Sequence, residues 1–275
     1  MNLLKRWIAF YVFGNIHVAI AAYCLTKITF LHFNIQDQRL ANFVFFSTIL
    51  SYNMIRLFQI DRINSSVAIW FRSNQRPLII LNILAFIGTI YYLFQFEWNN
   101  MLILIPFLIA TIFYVLPPYG KSTMGLRNIP GLKLFIIAIT WTGVTFLFPL
   151  FVSGIEMSDV SIYLGIQRFL FVLAITIPFD IRDAIFDKKE LSTLPQVLGL
   201  TTSKVIAIMA LLLFMFIDLR ISLDNLNLIK TDLIVIAIAS LLILFTTIQR
   251  KRYYTAFWIE GLPVLWYGIY LLFVV

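Results

Sequence analysis

Charged residues are scarce in this sequence. Asp, Glu, Lys and Arg together make up 12% of the 275 residues, whereas about 25% is usual for a soluble domain. A charge content this low excludes an ordinary soluble protein, a disordered chain and a coiled coil, because each of these presents many charged side chains to water. Together with a hydrophobic content of 61%, it indicates a protein that crosses a membrane several times.

Cysteine and histidine are also nearly absent. Cys24 is the single cysteine, so the chain cannot form an internal disulfide or a cysteine-based metal site, and no redox role follows from it. His17 and His32 are far apart in the sequence and have no evident partners. We assign neither histidine a function.

Long apolar runs make up most of the chain. Nine segments are suited to cross a bilayer as helices, and they lie at 8–30, 40–60, 78–96, 101–117, 133–152, 161–179, 203–219, 231–248 and 256–275. Helix is favoured over strand because a membrane barrel would show segments of about ten residues that alternate in polarity. No polar linker or low-complexity region divides the chain. The sequence therefore predicts an all-α polytopic membrane protein that forms a single domain over residues 1–275.

The positive charges are distributed unevenly over the flanks of these nine segments. Nine spans place successive flanks on alternate sides, and one set of flanks holds fifteen of the 21 basic residues: Lys5, Arg6, Arg62, Arg72, Arg76, Lys121, Arg127, Lys133, Arg182, Lys188, Lys189, Lys204, Arg250, Lys251 and Arg252. Because basic residues accumulate on the cytoplasmic side, this bias predicts a cytoplasmic N-terminus and supports nine spans. We expect the membrane to be the cell (inner) membrane. The same bias also accounts for the net charge of +8 without a nucleic-acid partner.

Three aspartates follow the sixth apolar segment in the pattern D-x-x-D-x-x-x-D. On a helix, Asp180, Asp183 and Asp187 lie within about 60° of one another. Three carboxylates on one helix face repel each other, and the repulsion grows at the membrane edge, so we expect a cation against them. Oxygen-only ligands favour Mg²⁺, which commonly also binds substrate phosphates. The alternative is a solvated helix end whose aspartates pair with the neighbouring basic residues.

The same segment resembles a motif of the UbiA superfamily, which consists of intramembrane aromatic prenyltransferases. The run Asp180-Ile-Arg-Asp-Ala-Ile-Phe-Asp187 is followed by Thr193-Leu-Pro and then by Leu198-Gly199, in the order of that family's second Asp-rich motif. The glycine that usually precedes T-L-P in the family is absent from this sequence. The second motif is nevertheless the most specific part of the resemblance.

The family's first Asp-rich motif, N-D-x-x-D-x-x-x-D, is only partly present. Aligned on Asn53, the sequence retains Asn53 and Asp61 but has Met54 and Leu57 in place of two aspartates. Arg56 stands where the family is usually uncharged. An arginine near the end of a span needs an anionic partner. That partner is either a substrate phosphate, with Arg56 replacing one metal ion, or an aspartate of one of the two motifs in a structural pair.

Two further elements are similar to the family and support this alignment. Arg72-Ser-Asn-Gln-Arg76-Pro-Leu is similar to the family's R-x-x-x-R-P-L, and Tyr114-Val-Leu-Pro-Pro-Tyr-Gly-Lys121 is similar to its Tyr, Pro-Pro and Lys element. The resemblance therefore runs from Asn53 to Gly199. Arg168, within the sixth apolar segment, is expected to extend to the far interface or else to line the cavity. The six tryptophans are interpreted mostly as interface anchors.

The resemblance implies a fold and a reaction. The fold is a UbiA-like bundle of nine transmembrane helices with a cavity open to the lipid, in which the two motifs face each other on the cytoplasmic side. The reaction is a Mg²⁺-dependent transfer of a prenyl group from a prenyl diphosphate to a lipophilic, commonly aromatic acceptor. Catalytic and metal-binding roles fall to Asp61, Asp180, Asp183 and Asp187. Diphosphate binding falls to Asn53, Arg56, Arg72, Arg76, Tyr114, Lys121 and Lys188.

Four other interpretations remain open at this point. The same ionisation of a prenyl diphosphate could serve terpene cyclisation or a non-aromatic acceptor. The missing aspartates could instead indicate a non-catalytic protein that binds an isoprenoid or another lipid. A CDP-alcohol phosphotransferase is disfavoured because no D-G dipeptide occurs in the chain. A transporter is disfavoured because the nine segments show no evident inverted halves.

Overall fold

The computed structural model describes residues 3–59, 66–115, 131–184, 193–222 and 225–274. Within these ranges the chain is helical apart from short connections, and it contains no β-strand. Helices are what a bilayer requires, because a helix satisfies its own backbone hydrogen bonds where water is absent. The prediction of an all-α membrane protein is confirmed.

The described helices are numbered in chain order. They are α1 (Leu3–Phe13), α2 (Ile16–Phe33), α3 (Gln38–Gln59), α4 (Ser66–Ser73), α5 (Gln75–Leu93), α6 (Trp98–Met101), α7 (Ile105–Val115), α8 (Leu132–Thr142), α9 (Phe148–Val152), α10 (Asp159–Asp183), α11 (Leu194–Leu198), α12 (Leu200–Ile221), α13 (Leu226–Leu244) and α14 (Leu262–Phe273). Two π-helical segments, Gly143–Leu147 and Tyr254–Ile259, lie next to α8 and α14.

Eight helical stretches in the described part of the chain are long and apolar enough to cross a membrane. They are Ile16–Phe33, Gln38–Leu57, Gln75–Leu93, Leu132–Val152, Asp159–Asp183, Leu200–Ile221, Leu226–Leu244 and Tyr254–Phe273. They correspond to eight of the nine predicted segments. The remaining segment, 101–117, overlaps a shorter apolar helix at Trp98–Ile112. The count of nine spans and the side of the N-terminus therefore stay predictions.

The predicted first span, 8–30, is divided in the structure. Helix α1 ends at Phe13 and α2 begins at Ile16, and Asn15 between them adopts a left-handed conformation with φ of 63°. A left-handed residue cannot continue a right-handed helix. The hydrophobic pattern did not reveal this break because apolar residues continue on both sides of it.

Sequential helices bring the two Asp-rich regions to the same end of the bundle. Helix α10 packs against α8 and α12, while α3 packs against α2 and α5. Lys133, near the start of α8, pairs with Asp180, near the end of α10, and Gln196, just before α12, donates to the backbone oxygen of Ala184, just after α10. The guanidinium of Arg56, near the end of α3, lies over the ring of Phe71, just before α5. Arg56 bonds to Phe13 and Arg182 bonds to Thr255, and the Phe13 ring packs against the ring of Tyr253, close to Thr255. The C-terminal ends of α3 and α10 therefore lie at the same end as the N-terminal ends of α5, α8 and α12. We call this the site end.

Aromatic side chains fill the core between α10, α12 and α14. The ring centroids of Phe171 and Trp266 lie 4.7 Å apart, and those of Phe214 and Trp266 lie 5.5 Å apart. The indole Nε1 of Trp266 donates a hydrogen bond of 2.7 Å to Asp232 Oδ1. Trp266 is thus a core residue, and its interpretation as an interface anchor was wrong. Trp7, Trp98 and Trp258 are well exposed, as interface anchors would be.

Arg168 is buried in the middle of the bundle. Its Nη1 donates hydrogen bonds to the backbone oxygen of Leu25 at 2.6 Å and to Thr145 Oγ1 at 3.2 Å. Its guanidinium also lies 5.5 Å from the centre of the Trp266 ring. Only 3% of Arg168 is exposed, so the expectation that it extends to the far interface was wrong. The side chain instead ties α10 to α2 and to the first π-helical segment.

His17 connects α1, α2 and the second π-helical segment. Its Nδ1 lies 2.8 Å from the hydroxyl oxygen of Tyr11, and its Nε2 lies 2.9 Å from the backbone oxygen of Phe257. Its ring also stacks on the ring of Phe257. Sequence analysis found no partner for this histidine because its partner on the π-helical segment is 240 positions away.

Candidate functional site

The end of α10 carries a buried carboxylate that is paired with a lysine. Lys133 lies near the start of α8, which is antiparallel to α10, and its Nζ donates a hydrogen bond of 2.7 Å to Asp180 Oδ1. Asp180 is 1% exposed. Its second oxygen, Oδ2, is buried and has no hydrogen-bond partner among the described residues. A buried carboxylate oxygen without a donor is costly, and this oxygen can accept a further cation.

Asp183, one helical turn later, is held by the adjacent arginine. Arg182 Nε and Nη2 donate to the two oxygens of Asp183 at 2.8 and 2.6 Å. Arg182 Nη1 also donates a hydrogen bond of 2.7 Å to Thr255 Oγ1 in the second π-helical segment. The end of α10 is thereby attached to the start of the last span. π-Helical segments are frequent at functional sites.

Further charged side chains surround this pair. Glu260, in the last span, interacts electrostatically with Arg56 and Arg182. Arg252, just before the second π-helical segment, faces Arg182 and Asp183. Burial lowers the pKa of the Arg252 guanidinium; the charge of Arg182 acts in the same direction, and Asp183 opposes it. The described site therefore holds arginines from three separate elements.

Asn53 and Arg56, from the partial first motif, contact the break between α1 and α2. Asn53 is fully buried; its Oδ1 accepts a hydrogen bond of 2.7 Å from Asn15 Nδ2, and its Nδ2 donates to the backbone oxygen of Gly14 at 3.3 Å. Arg56 Nη1 donates to the backbone oxygen of Phe13 at 2.7 Å. Among the described residues, no ion pair joins Arg56 to Asp180 or Asp183, because these carboxylates pair with Lys133 and Arg182.

Arg72 and Arg76 lie near the same end of the bundle. Both are exposed, at the end of α4 and the start of α5. Phe71, next to Arg72, lies under the guanidinium of Arg56 at 5.7 Å from the ring centre. Of the other residues assigned from the resemblance, Asp61, Lys121, Asp187 and Lys188 fall outside the described residues, as does the side chain of Tyr114. Their roles stay predictions.

The oxygen atoms at the end of α10 partly meet the requirements of a Mg²⁺ site. Asp180 offers a buried oxygen with no donor, and all the candidate ligands are oxygens, which Mg²⁺ prefers. Asp183 already has both oxygens on Arg182. Among the described residues, no group of three metal-binding side chains occurs, and two of the four predicted metal ligands lie outside those residues. In the described part of the chain, the fit therefore rests on Asp180.

Four charged residues of this site were not predicted as site residues from the sequence: Lys133, Arg182, Arg252 and Glu260. Arg182 was considered only in the charge distribution and as a basic neighbour of the aspartates. Lys133 and Arg252 were used only to assign the topology, and Glu260 was not considered. Glu260 carried a usable signal, because an ionisable residue inside an apolar span is commonly functional. For Lys133 and Arg252 the sequence offered no such signal, since their position beside Asp180 and Asp183 depends on helix packing.

Solved structures with the same architecture were found by comparison of the fold. A UbiA homolog from Archaeoglobus fulgidus bound to GPP and Mg²⁺ matches with a TM-score of 0.66 and 13% identity, covering 96% of this chain and 99% of that one. The same homolog bound to DMAPP and Mg²⁺ matches with a TM-score of 0.64 and 13% identity, covering 96% and 98%. A digeranylgeranylglyceryl phosphate synthase matches with a TM-score of 0.56 and 18% identity, covering 98% and 96%.

These likenesses extend over nearly the whole chain, and the protein has the UbiA fold. The resemblance recognised in the sequence is confirmed at the level of the fold. No protein-family model and no curated protein matches the sequence itself. Because the sequence identities to these structures are only 13% and 18%, the likeness shows the fold, and the reaction has to be inferred from the residues of the site.

Proposed function

We propose that this protein is a membrane prenyltransferase. It takes a prenyl group from a prenyl diphosphate and transfers it to a lipophilic acceptor within the bilayer, with Mg²⁺ as cofactor. The expected acceptor is aromatic. The site end faces the cytoplasm, and the membrane is the cell (inner) membrane.

The observation that carries this proposal is the buried charge cluster at the end of α10. This helix end buries the carboxylate of Asp180 and adds Asp183 one turn later, with Lys133 and two arginines around them. Burying so many charges opposes folding, and a charged ligand would explain why they are kept. Cations and carboxylates together suit a diphosphate and its metal ion. Solved proteins of the same fold bind GPP or DMAPP together with Mg²⁺.

The chemistry follows from the charges. The C–O bond between the prenyl group and the diphosphate breaks, and the electron pair stays on the diphosphate. A new bond then forms between the prenyl carbon and the acceptor, which releases a proton. Arginines at the site stabilise the leaving diphosphate. Mg²⁺, held by Asp180 and Asp183 with Asp61 and Asp187, would neutralise the same developing charge.

The apolar interior of the helix bundle would protect the reacting prenyl group from water. A prenyl cation reacts with water, so the reacting end of the donor has to be kept dry. Aromatic side chains, which are 16% of the sequence, can stabilise a cation through their ring faces. This role is proposed for the bundle as a whole, and the acceptor is bound from the lipid side.

A second candidate is binding of an isoprenoid diphosphate with altered chemistry or without turnover. Two observations favour it: Met54 and Leu57 replace aspartates of the first motif, and Arg182 occupies both oxygens of Asp183. Such a protein would keep the donor site and lose or change the transfer step. A terpene cyclase-like reaction belongs to the same class of outcomes.

One experiment separates these functions. Purified protein in nanodiscs is incubated with labelled prenyl diphosphates of several chain lengths, with and without Mg²⁺, and with a panel of aromatic and non-aromatic lipophilic acceptors. Prenyl transfer predicts Mg²⁺-dependent release of diphosphate together with a labelled acceptor product. Release with a labelled hydrocarbon and no acceptor product indicates the altered chemistry. Saturable donor binding with no release for any acceptor indicates a binding protein and defeats the transferase proposal.

A further inference from the structure

Three arginines from different parts of the chain converge near the site end. Arg56 comes from α3, Arg182 from α10, and Arg252 from the connection between α13 and the last span. Arg182 Nη1 donates a hydrogen bond of 2.7 Å to Thr255 Oγ1, and the same hydroxyl donates to the backbone oxygen of Arg252 at 3.2 Å. Arg56 Nη1 donates to the backbone oxygen of Phe13, whose ring centroid lies 5.3 Å from that of Tyr253, the residue after Arg252. The charges of the three guanidiniums also act on one another. Like charges brought together in a half-buried site oppose folding, so their convergence calls for a compensating anion.

The carboxylates nearby do not fully neutralise the positive charge of these three arginines. Arg182 is engaged by Asp183 and Thr255. Arg56 donates to a backbone oxygen, and Arg252 makes no hydrogen bond or ion pair through its guanidinium within the described ranges. Glu260 faces the cluster, and it makes no direct ion pair with any of the described residues. Two half-buried guanidiniums are therefore left with donors available for a ligand.

The arrangement of these donors specifies the chemistry of that ligand. Guanidinium groups bind phosphate oxygens through paired hydrogen bonds, and an anion with several oxygens can join more than one of them. A diphosphate provides such a set of acceptors. Arg56 also lies on the same stretch of α3 as Met54 and Leu57, where the resemblance would place metal-binding aspartates.

We propose that Arg56 and Arg252, brought together beside Arg182, form a guanidinium subsite that binds the donor's diphosphate directly, on the side of the site that lacks two of the first-motif aspartates. The proposal rests on the proposed function for the identity of the ligand. Metal binding is then confined to the α10 side, and Glu260 keeps the empty cluster from carrying its full positive charge. Donor binding consequently persists when divalent metal is removed.

The test is calorimetric titration of the full-length protein in nanodiscs with GPP, in EDTA and in Mg²⁺. Wild-type protein is expected to bind GPP in EDTA. Arg56→Met and Arg252→Met are each expected to weaken that binding about tenfold, the value of one charge-assisted hydrogen-bonding group. Arg182 is left intact, because its removal would also release Asp183. Inorganic phosphate and inorganic pyrophosphate, titrated in parallel, show whether the subsite distinguishes a diphosphate from a single phosphate.

A matched control arginine lies two residues away. Arg250 is exposed, and its Nε donates to the backbone oxygen of Phe245 at 3.1 Å. Arg250→Met removes one positive charge from the same connection and should leave GPP affinity unchanged. Thermal unfolding and size-exclusion profiles show whether each variant is folded, and Arg252→Lys, which keeps the charge but loses the planar fork, should bind with intermediate affinity.

The outcomes separate this proposal from the proposed function. Wild-type binding only in Mg²⁺ overturns the subsite, as does unchanged GPP affinity in folded Arg56→Met and Arg252→Met. The latter result would mean that Arg252 serves only to pair with a carboxylate of the chain. If the protein turns over prenyl diphosphate but binds GPP equally well without Arg56 or Arg252, the subsite is wrong and the transferase proposal stands. Arginine-dependent GPP binding without turnover supports the subsite and defeats the transferase.

Discussion

Arg182 holds both carboxylate oxygens of Asp183, at 2.8 and 2.6 Å. This pairing is local, between neighbouring residues, yet Arg182 also reaches Thr255 in the last span. Asp183 is therefore satisfied without a metal ion, whereas Asp180, one turn earlier, keeps a buried oxygen with no donor among the described residues. The two aspartates that the sequence treats alike thus have different environments, and Asp180 is the one with a carboxylate oxygen still available to a cation.

Removal of Lys133 should destabilise the protein. Lys133→Met leaves the Asp180 carboxylate buried without its cation, a change that costs about 3 kcal/mol. Unfolding in mild detergent, followed by circular dichroism, measures the loss. The double variant Lys133→Met with Asp180→Asn should recover most of the stability, because the remaining amide is uncharged. A double variant as unstable as the single one would show that the ion pair is not the cause.

Asn53 tests whether the partial first motif is structural. Asn53→Ala removes two hydrogen bonds to the break between α1 and α2, for a loss of about 2 kcal/mol in stability. If that is its main role, folded Asn53→Ala protein binds GPP with nearly wild-type affinity. A large loss of GPP affinity in folded protein would instead support the role in diphosphate binding that the resemblance assigns to Asn53.

Arg168 should be important for stability and not for donor binding. Arg168→Met removes the bonds to Leu25 and Thr145 and takes a positive charge away from buried Asp232. We expect a loss of about 3 kcal/mol in the free energy of unfolding, measured as above. Arg220→Met, at an exposed arginine on α12, is the control and should change stability little. Equal effects of both substitutions would contradict this account of Arg168.

The orientation in the membrane can be tested with the single cysteine removed. Cys24 is buried, so Cys24→Ser gives a background for new labelling sites. A cysteine in place of Arg250, at the site end, should react with a membrane-impermeant maleimide in inverted vesicles and not in intact spheroplasts. A cysteine in place of Asp37, between α2 and α3, should show the opposite pattern. Reversed labelling would contradict a cytoplasmic site end.

The sequence predicted the helices well and the contacts between them poorly. Long apolar runs specify helices because the bilayer permits little else, and the spacing of Asp180 and Asp183 correctly placed both on one turn of α10. The break at Asn15 escaped prediction because it depends on one backbone conformation within an apolar run. The partner Lys133 escaped prediction because it meets Asp180 only through the packing of helices that are distant in sequence. Glu260 was missed although its position inside an apolar span is itself a signal.

Release of diphosphate is the direct readout of Mg²⁺-dependent ionisation of a prenyl diphosphate at the end of α10. Purified wild-type protein and the Asp180→Asn variant are compared with labelled GPP and a panel of acceptors, with Mg²⁺ or with EDTA. Wild-type protein is expected to release diphosphate in Mg²⁺ only, and the variant to release it at least about 100-fold more slowly, as when a charge-stabilising group is removed. No release by wild-type protein under any condition, or undiminished release by folded Asp180→Asn, would contradict Mg²⁺-dependent ionisation at this site.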